Sequence, residues 1–303
     1  MGQMTTSPSK ANWFSVLALG LIWGGTFMVV SIALEGYGPV TVACARTTLG
    51  AVALLSFMWI GKRPLPSSAA LRHILPIGLL NTALPFSLLA WGQQYVSSAF
   101  AGLTMAAVPL FILPLAHFFS DERLVRKKVF GMLLGFCGAA VLIGPGLLSI
   151  GDASQPLGQL ACLAATLSYA VSSVMTRRCP PVDPITMAAM TLCVGSVILL
   201  PAMLIIDGVP EWTNSRSGVA ILFLGLVPTA LAALLRVLVI RSAGSVFMSV
   251  VNYQVPVWSM IFGALVLNEV LPWRFFAALV LILTGLAVSQ WKLGATRLYG
   301  PRA

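Results

Sequence analysis

The sequence predicts an all-α membrane fold: ten transmembrane helices arranged as two inverted five-helix repeats, with both termini cytoplasmic. Three observations point there. Ten stretches of about twenty apolar residues fill the 303-residue chain, and about twenty helical residues are what a bilayer's hydrocarbon core requires. Only 9% of residues are charged, 58% are hydrophobic and the mean hydropathy is +0.95, where a soluble domain carries about 25% charged residues. A set of Gly, Pro, Thr, Ser and Glu residues also recurs at one fixed separation along the chain.

The spans are read at 12–34, 39–60, 71–94, 98–119, 128–148, 156–176, 184–206, 217–240, 245–267 and 273–291. The first is longer than a signal-peptide core and lacks a small-residue cleavage site after it, so it is read as a retained helix. The second and seventh open on Pro39 and Pro184, residues suited to a helix's first turn. The third follows Lys62 and Arg63, and the fourth and ninth carry Pro109 and Pro256. The fifth begins at the end of the basic Arg123–Lys128 run, and the sixth stops at Arg177 and Arg178. Arg216 and Arg241 bracket the eighth, and Trp273 and Lys292 bracket the tenth.

Cytoplasmic loops of membrane proteins are enriched in Lys and Arg. With the N-terminus inside, 14 of the 18 basic residues fall on the cytoplasmic side, Arg216 and Arg274 fall outside, and Arg46 and Arg236 lie within spans. This bias accounts for the net charge of +10 without a nucleic-acid partner. Cys44, Cys137, Cys162, Cys179 and Cys193 show no ligand spacing and read as packing residues. No metal or other cofactor is expected.

A shift of 147 residues superposes Gly78 on Gly225, Thr82 on Thr229, Ser98 on Ser245, Pro109 on Pro256, Glu122 on Glu269 and Gly138 on Gly285. The chain therefore divides into a first repeat, 1–150, and a second, 151–303, within one membrane domain. Five crossings is an odd number, so the second repeat starts on the opposite side from the first. The charges agree: the Asp121–Lys128 loop holds four basic residues, whereas its counterpart, Asn268–Phe275, holds Arg274 alone. Inverted repeats of this kind build many secondary transporters, with a site near the membrane midplane.

Polar groups in lipid are costly without a partner, so those deep in spans face the bundle interior or a wet cavity. The candidates for substrate binding are Trp23, Thr26, Asn81, Thr82, Ser168, Tyr169, Ser172, Thr229, Asn252, Tyr253 and Gln254. The last three are consecutive, so at 100° per residue at most two line one pocket. The plainer reading for Ser and Thr is a bond to their own i−4 carbonyl or a stitch between helices. Arg46 is suited to hold a carboxylate bidentately; bonding backbone carbonyls and snorkelling outward are equal alternatives. Pro109 and Pro256, matched by the repeat, are candidates for a hinge or kink. Trp13, Trp59, Trp212 and Trp273 lie at span ends as interfacial anchors. Gly131-xxx-Gly135 and Gly20-xxx-Gly24 serve either packing within the chain or a homodimer contact.

All eight acidic residues map to loops or span edges, which leaves no carboxylate relay for protons and no buried counter-ion for a permanently cationic substrate. Facilitated diffusion is the simplest coupling scheme. An integral-membrane enzyme lacks a nucleophile–base pair, and a sensor lacks soluble loops for signalling.

Leu21-Ile22-Trp23-Gly24-Gly25, Ala45-Arg46-Thr47, Ser98-Ala99, Val108-Pro109, Asp121-Glu122, Val255-Pro256 and Asn268-Glu269 together resemble the EamA branch of the drug/metabolite transporter superfamily, through nearly the whole chain. The sixth span departs from the repeat pattern, with Ser168-Tyr169-Ala170 where a Trp-Gly is expected. Within that superfamily the chain most resembles the YddG-type exporters of aromatic and other neutral amino acids. The resemblance implies an alternating-access carrier in a bacterial inner membrane that exports small neutral metabolites, with membrane lipid as its surroundings. It also implies a pocket between helices one to four and six to nine, with five and ten peripheral. The alternative within the fold is a multidrug or cationic-compound exporter.

Overall fold

The structure, a computed structural model, describes residues 8–119, 125–144, 154–212 and 216–290, and all regular elements among them are helical. They are α1 (Lys10–Leu34), α2 (Pro39–Ile60), α3 (Ser68–Gly78), α4 (Leu84–Gly92), α5 (Ser98–Met105), α6 (Val108–Phe119), α7 (Arg126–Ile143), α8 (Ser154–Arg178), α9 (Pro184–Ile206), α10 (Arg216–Gly225), α11 (Ala232–Met248), α12 (Val251–Val266) and α13 (Trp273–Gln290). Helices are favoured because lipid offers no hydrogen bonds to a backbone, whose groups must then be satisfied internally.

Helix starts are set locally. Ser9, Ser67 and Ser97 accept from Asn12, Ala70 and Phe100 N–H at 3.2 Å each, closing orphan donors of the first turn. Asp183 accepts from Ile185 and Thr186 N–H at 3.0 and 3.3 Å ahead of Pro184.

By length and composition eight helices among the described residues can cross a membrane, and α12 is apolar but shorter, at 16 residues. The α7 helix is 18 residues long and starts on Arg126, Lys127 and Lys128. Several spans are compound where the sequence suggested single rods. π-helical turns at Leu79–Ala83 and Leu226–Leu231 join α3 to α4 and α10 to α11. The fourth span breaks at Ala106–Ala107 between α5 and α6. The expected 245–267 span divides: its first residues belong to the end of α11, beyond a kink at Gly244 (φ 88°, ψ 162°), and α12 starts at Val251. That positive φ is readily adopted only by glycine.

Packing maps onto itself when the two halves are exchanged. α7 packs on α13, α2 on α9, and α5 on α12; α1 lies on α12 and α10 as α8 lies on α6 and α4. The first three pairs join counterparts, and each is antiparallel. Thr41, at the start of α2, meets Asp207, at the end of α9. Pro64, beyond the other end of α2, accepts at 3.0 Å from Thr186 at the start of α9. Along α7 and α13, Gly131 meets Gly285 and Ser289, Gly138 meets Ile282, and Gly144 meets Arg274. Ser98, at the start of α5, binds Glu269 beyond the end of α12, while Gly102 lies on Ser259.

Both glycine motifs are used inside the chain: Gly131 and Gly135 receive α13 and α6, and Gly20 and Gly24 receive Gln254 and Trp258 of α12. A missing Cβ lets helices approach this closely. The exterior is apolar, with Phe14, Trp59, Ile60, Phe118 and Ile205 exposed, a surface suited to lipid rather than water.

Candidate transport site

The two π-helical turns occupy the same place in the repeat: Leu79 and Leu226 are 147 residues apart, as are Thr82 and Thr229. A π turn takes one more residue than an α turn and disturbs the carbonyl ladder, which is why such turns gather at functional sites. Around them the sequence's candidates converge.

In the second half's turn, Pro228 O accepts from Trp23 Nε1 at 3.1 Å. Thr229 Oγ1 donates to Leu224 O at 2.8 Å and accepts from Arg46 Nε at 2.9 Å. In the first half's turn, Leu80 O accepts from Ser168 Oγ at 2.7 Å, and Ser172 Oγ donates to its own Tyr169 O at 2.9 Å or to Asn81 Oδ1 at 3.2 Å. Thr82 Oγ1 donates to Gly78 O at 2.7 Å or Thr191 O at 3.2 Å. Each turn is thus approached from the opposite half, Trp23 and Arg46 on one side answering Ser168 and Thr191 on the other. Gly50 and Gly195 make room: a Cβ there would collide with Thr229 and Thr82 respectively.

Arg46 reaches from α2 with its guanidinium carbon 3.9 Å from the centre of the Phe86 ring, a cation–π contact. Tyr169 lies within electrostatic range of it. Thr26 lines the same cavity as Arg46, but its hydroxyl donates to its own Ile22 O at 2.9 Å. That cavity measures about 10 Å³ and is walled by α1, α2 and α4, which is about the space of one water.

Asn252, Tyr253 and Gln254 lie apart from this cluster. Asn252 is exposed at the start of α12. Tyr253 donates to Gln290 Oε1 at 3.2 Å, and Gln254 Nε2 donates to Val16 O at 3.4 Å. Gln254 borders an open crevice of about 500 Å³ with Trp13, Phe14, Val16 and Leu17. The sequence placed these three near the middle of a 245–267 span; with α12 starting at Val251 they fall in its first turn. Pro109 is the second residue of α6, directly after the Ala106–Ala107 break. Pro256 lies within α12, several residues beyond its start. The matched prolines therefore do not sit at matched breaks.

Sequence reasoning passed over Gln93 and Phe86. Gln93 sits at the end of α4, near the end of the 71–94 span, yet it is 7% exposed and lines the Arg46 cavity. Phe86 carries no signal distinguishing it from any other apolar residue of a span. Of the acidic residues used in the sequence reading, Asp121, Glu122 and Asp152 lie outside the described residues.

A family model described as the EamA-like transporter family matches the chain twice, at residues 12–144 and 156–290. An uncharacterized transporter of Bacillus subtilis (strain 168), YoaV, is 27% identical over 91% of this chain and 95% of its own. A protein of Salmonella typhimurium (strain LT2) named as a probable amino-acid metabolite efflux pump is 26% identical over 95% of this chain and 98% of its own. One of Streptantibioticus cattleyicolor, named as a probable terminal-alkyne amino-acid exporter, is 28% identical over 87% of this chain and 88% of its own. A crystal structure with 22% identity shares the fold, with a TM-score of 0.65 over 94% of this chain and 98% of that one.

Proposed function

Since the chain belongs to the EamA-like transporter family and is an integral membrane protein, we propose that it exports small neutral metabolites, foremost amino acids including aromatic ones, by alternating access. The observation that carries this reading is the pair of matched π turns, each braced from the opposite half. A site built between two antiparallel copies of one motif has two related arrangements available, which is what rocking between an inward and an outward state requires. Two relatives named for amino-acid export favour that substrate class.

In this reading ten crossings form two inverted repeats, 1–150 and 151–303, in a bacterial inner membrane with both termini cytoplasmic. The face where α1 begins is the cytoplasmic one, and the face carrying the α1–α2 connection is external. Substrate contacts come from Trp23, Thr26, Arg46, Asn81, Thr82, Tyr169 and Ser172, around the Arg46–Thr229 bond. Asn252, Tyr253 and Gln254 would join them only in an arrangement that brings the start of α12 toward the centre.

Counterflow of radiolabelled amino acids into liposomes bearing only this protein tests the reading. Saturable exchange of at least one neutral amino acid is expected; exchange confined to organic cations would transfer the assignment to the multidrug alternative.

A further inference from the structure

We propose that Arg46 and Gln93 form a binding site for the carboxylate of the transported solute, in the cavity between α1, α2 and α4. The inference rests on the transporter reading and names the chemical group that this part of the pathway recognises.

Arg46 is positioned but not neutralised. Its Nε is bonded to Thr229 Oγ1 at 2.9 Å, and Phe86 covers the guanidinium at 3.9 Å, which together orient its plane. Among the described residues no carboxylate pairs with it, and Thr229 is its one hydrogen-bond partner. Its terminal Nη pair is left over: a planar fork whose spacing matches the two oxygens of a carboxylate.

Gln93 is the independent second observation. It is 7% exposed, both Oε1 and Nε2 are buried without a partner, and its side chain lines the same cavity. Buried amides are nearly always bonded, and Val30, Val42, Phe27 and Leu89 on the surrounding wall offer nothing to bond to. An orphaned amide and an unneutralised fork that line one cavity define a guest carrying one negative charge and a hydrogen-bonding edge. Nε2 adds a donor to the carboxylate, and Oε1 is an acceptor for an adjoining ammonium. A single cation in an apolar wall balances a monocarboxylate; a phosphate dianion would keep an uncompensated charge in a poorly solvated place.

The space of about 10 Å³ holds about one water and not a carboxylate group, so binding there requires the α1, α2 and α4 walls to part.

Two experiments on the full-length protein test the site. The first is independent of any solute: Gln93→Glu puts a carboxylate into the cavity that Arg46 lines, and the melting temperature is expected to rise by about 3 °C, an increase that adding Arg46→Gln abolishes. An unchanged or lowered melting temperature in Gln93→Glu overturns the site, whatever transport does. The second is counterflow of L-phenylalanine with 3-phenylpropionate, L-phenylalaninamide and chloride as competitors. The acid is expected to compete at least about tenfold better than the amide, and Arg46→Gln to erase that preference. Equal competition by amide and acid with flux intact overturns the carboxylate site and leaves the transporter reading standing. Competition by chloride alone overturns it in favour of a simple halide site. Absence of flux for every solute overturns the transporter reading itself.

Discussion

Glu269 Oε1 accepts the Ser98 N–H at 2.7 Å, and its Oε2 accepts the Ala99 N–H at 3.1 Å. A carboxylate of the second half thus closes the first turn of a helix in the first half. With Ser97 Oγ taking the Phe100 N–H, most orphan donors of α5 are satisfied, and the negative charge sits at the positive end of the helix dipole. Asp207, also of the second half, does the same for α2, accepting from Thr41 N–H at 2.7 Å and its hydroxyl at 2.9 Å. Both clasps lie on the face carrying the α1–α2 connection, and both would have to open for the halves to part there.

Glu269→Gln removes the charge of this clasp and turns one of its two acceptor oxygens into an amide donor, which leaves the Ser98 or Ala99 N–H without a partner. Charge-assisted bonds are about twice as strong as neutral ones, so a loss of about 1–2 kcal/mol of stability is expected. A cysteine at Ser98 should react faster with a membrane-impermeant maleimide in that background, because the clasped face opens more often. Equal labelling rates in both backgrounds would show that the clasp does not restrain that face.

Asp207→Ala should cost more than Glu269→Gln, because it strands both the Thr41 N–H and a hydroxyl 3% exposed. About 2 kcal/mol is expected, read as a drop in melting temperature in detergent. The restrained backbone gives little room to compensate, since Gly38 packs directly on this carboxylate.

Much of this fold was legible because it is written in hydropathy, charge and caps. Pro39, Ser98 and Pro184 open α2, α5 and α9 where the sequence places them, since a helix start depends on its own first turn. The π turns were not legible. They leave hydropathy unchanged, and Thr82 and Thr229 signalled a matched position without saying that the backbone winds differently there. Gln93 was missed for a related reason: at a span end, burial depends on what the neighbouring helices place over it. Asn252 was the reverse case, where a break before Val251 moved a polar residue from an expected mid-span position to the first turn of α12.

The pairing of α7 with α13 rests on backbone contact. A Cβ on Gly285 would stand 2.5 Å from Gly131 O and 2.6 Å from Gly135 N, atoms that no side-chain rotation can move aside. Alanine ordinarily favours a helix over glycine by about 1 kcal/mol. Overpacking costs about 1–3 kcal/mol, and against backbone the upper end applies. Gly285→Ala should therefore lower stability by about 1–2 kcal/mol net. A melting temperature equal to or above wild type would mean that these helices separate freely.

Thr82 and Thr229 allow the two halves to be compared at one position. Thr82→Val and Thr229→Val each remove a hydroxyl that donates to a carbonyl while preserving shape, so each should cost about 1 kcal/mol of stability. Their effects on transport should diverge. Thr229 also accepts from Arg46 Nε, so its loss frees the guanidinium to rotate off the Phe86 face and misaligns the fork. For an amino-acid counterflow substrate, Thr229→Val is expected to raise KM severalfold, and by clearly more than Thr82→Val does. Equal KM values in the two variants would show that the Arg46–Thr229 bond supports the packing of α2 and does not hold the charge in place for a solute.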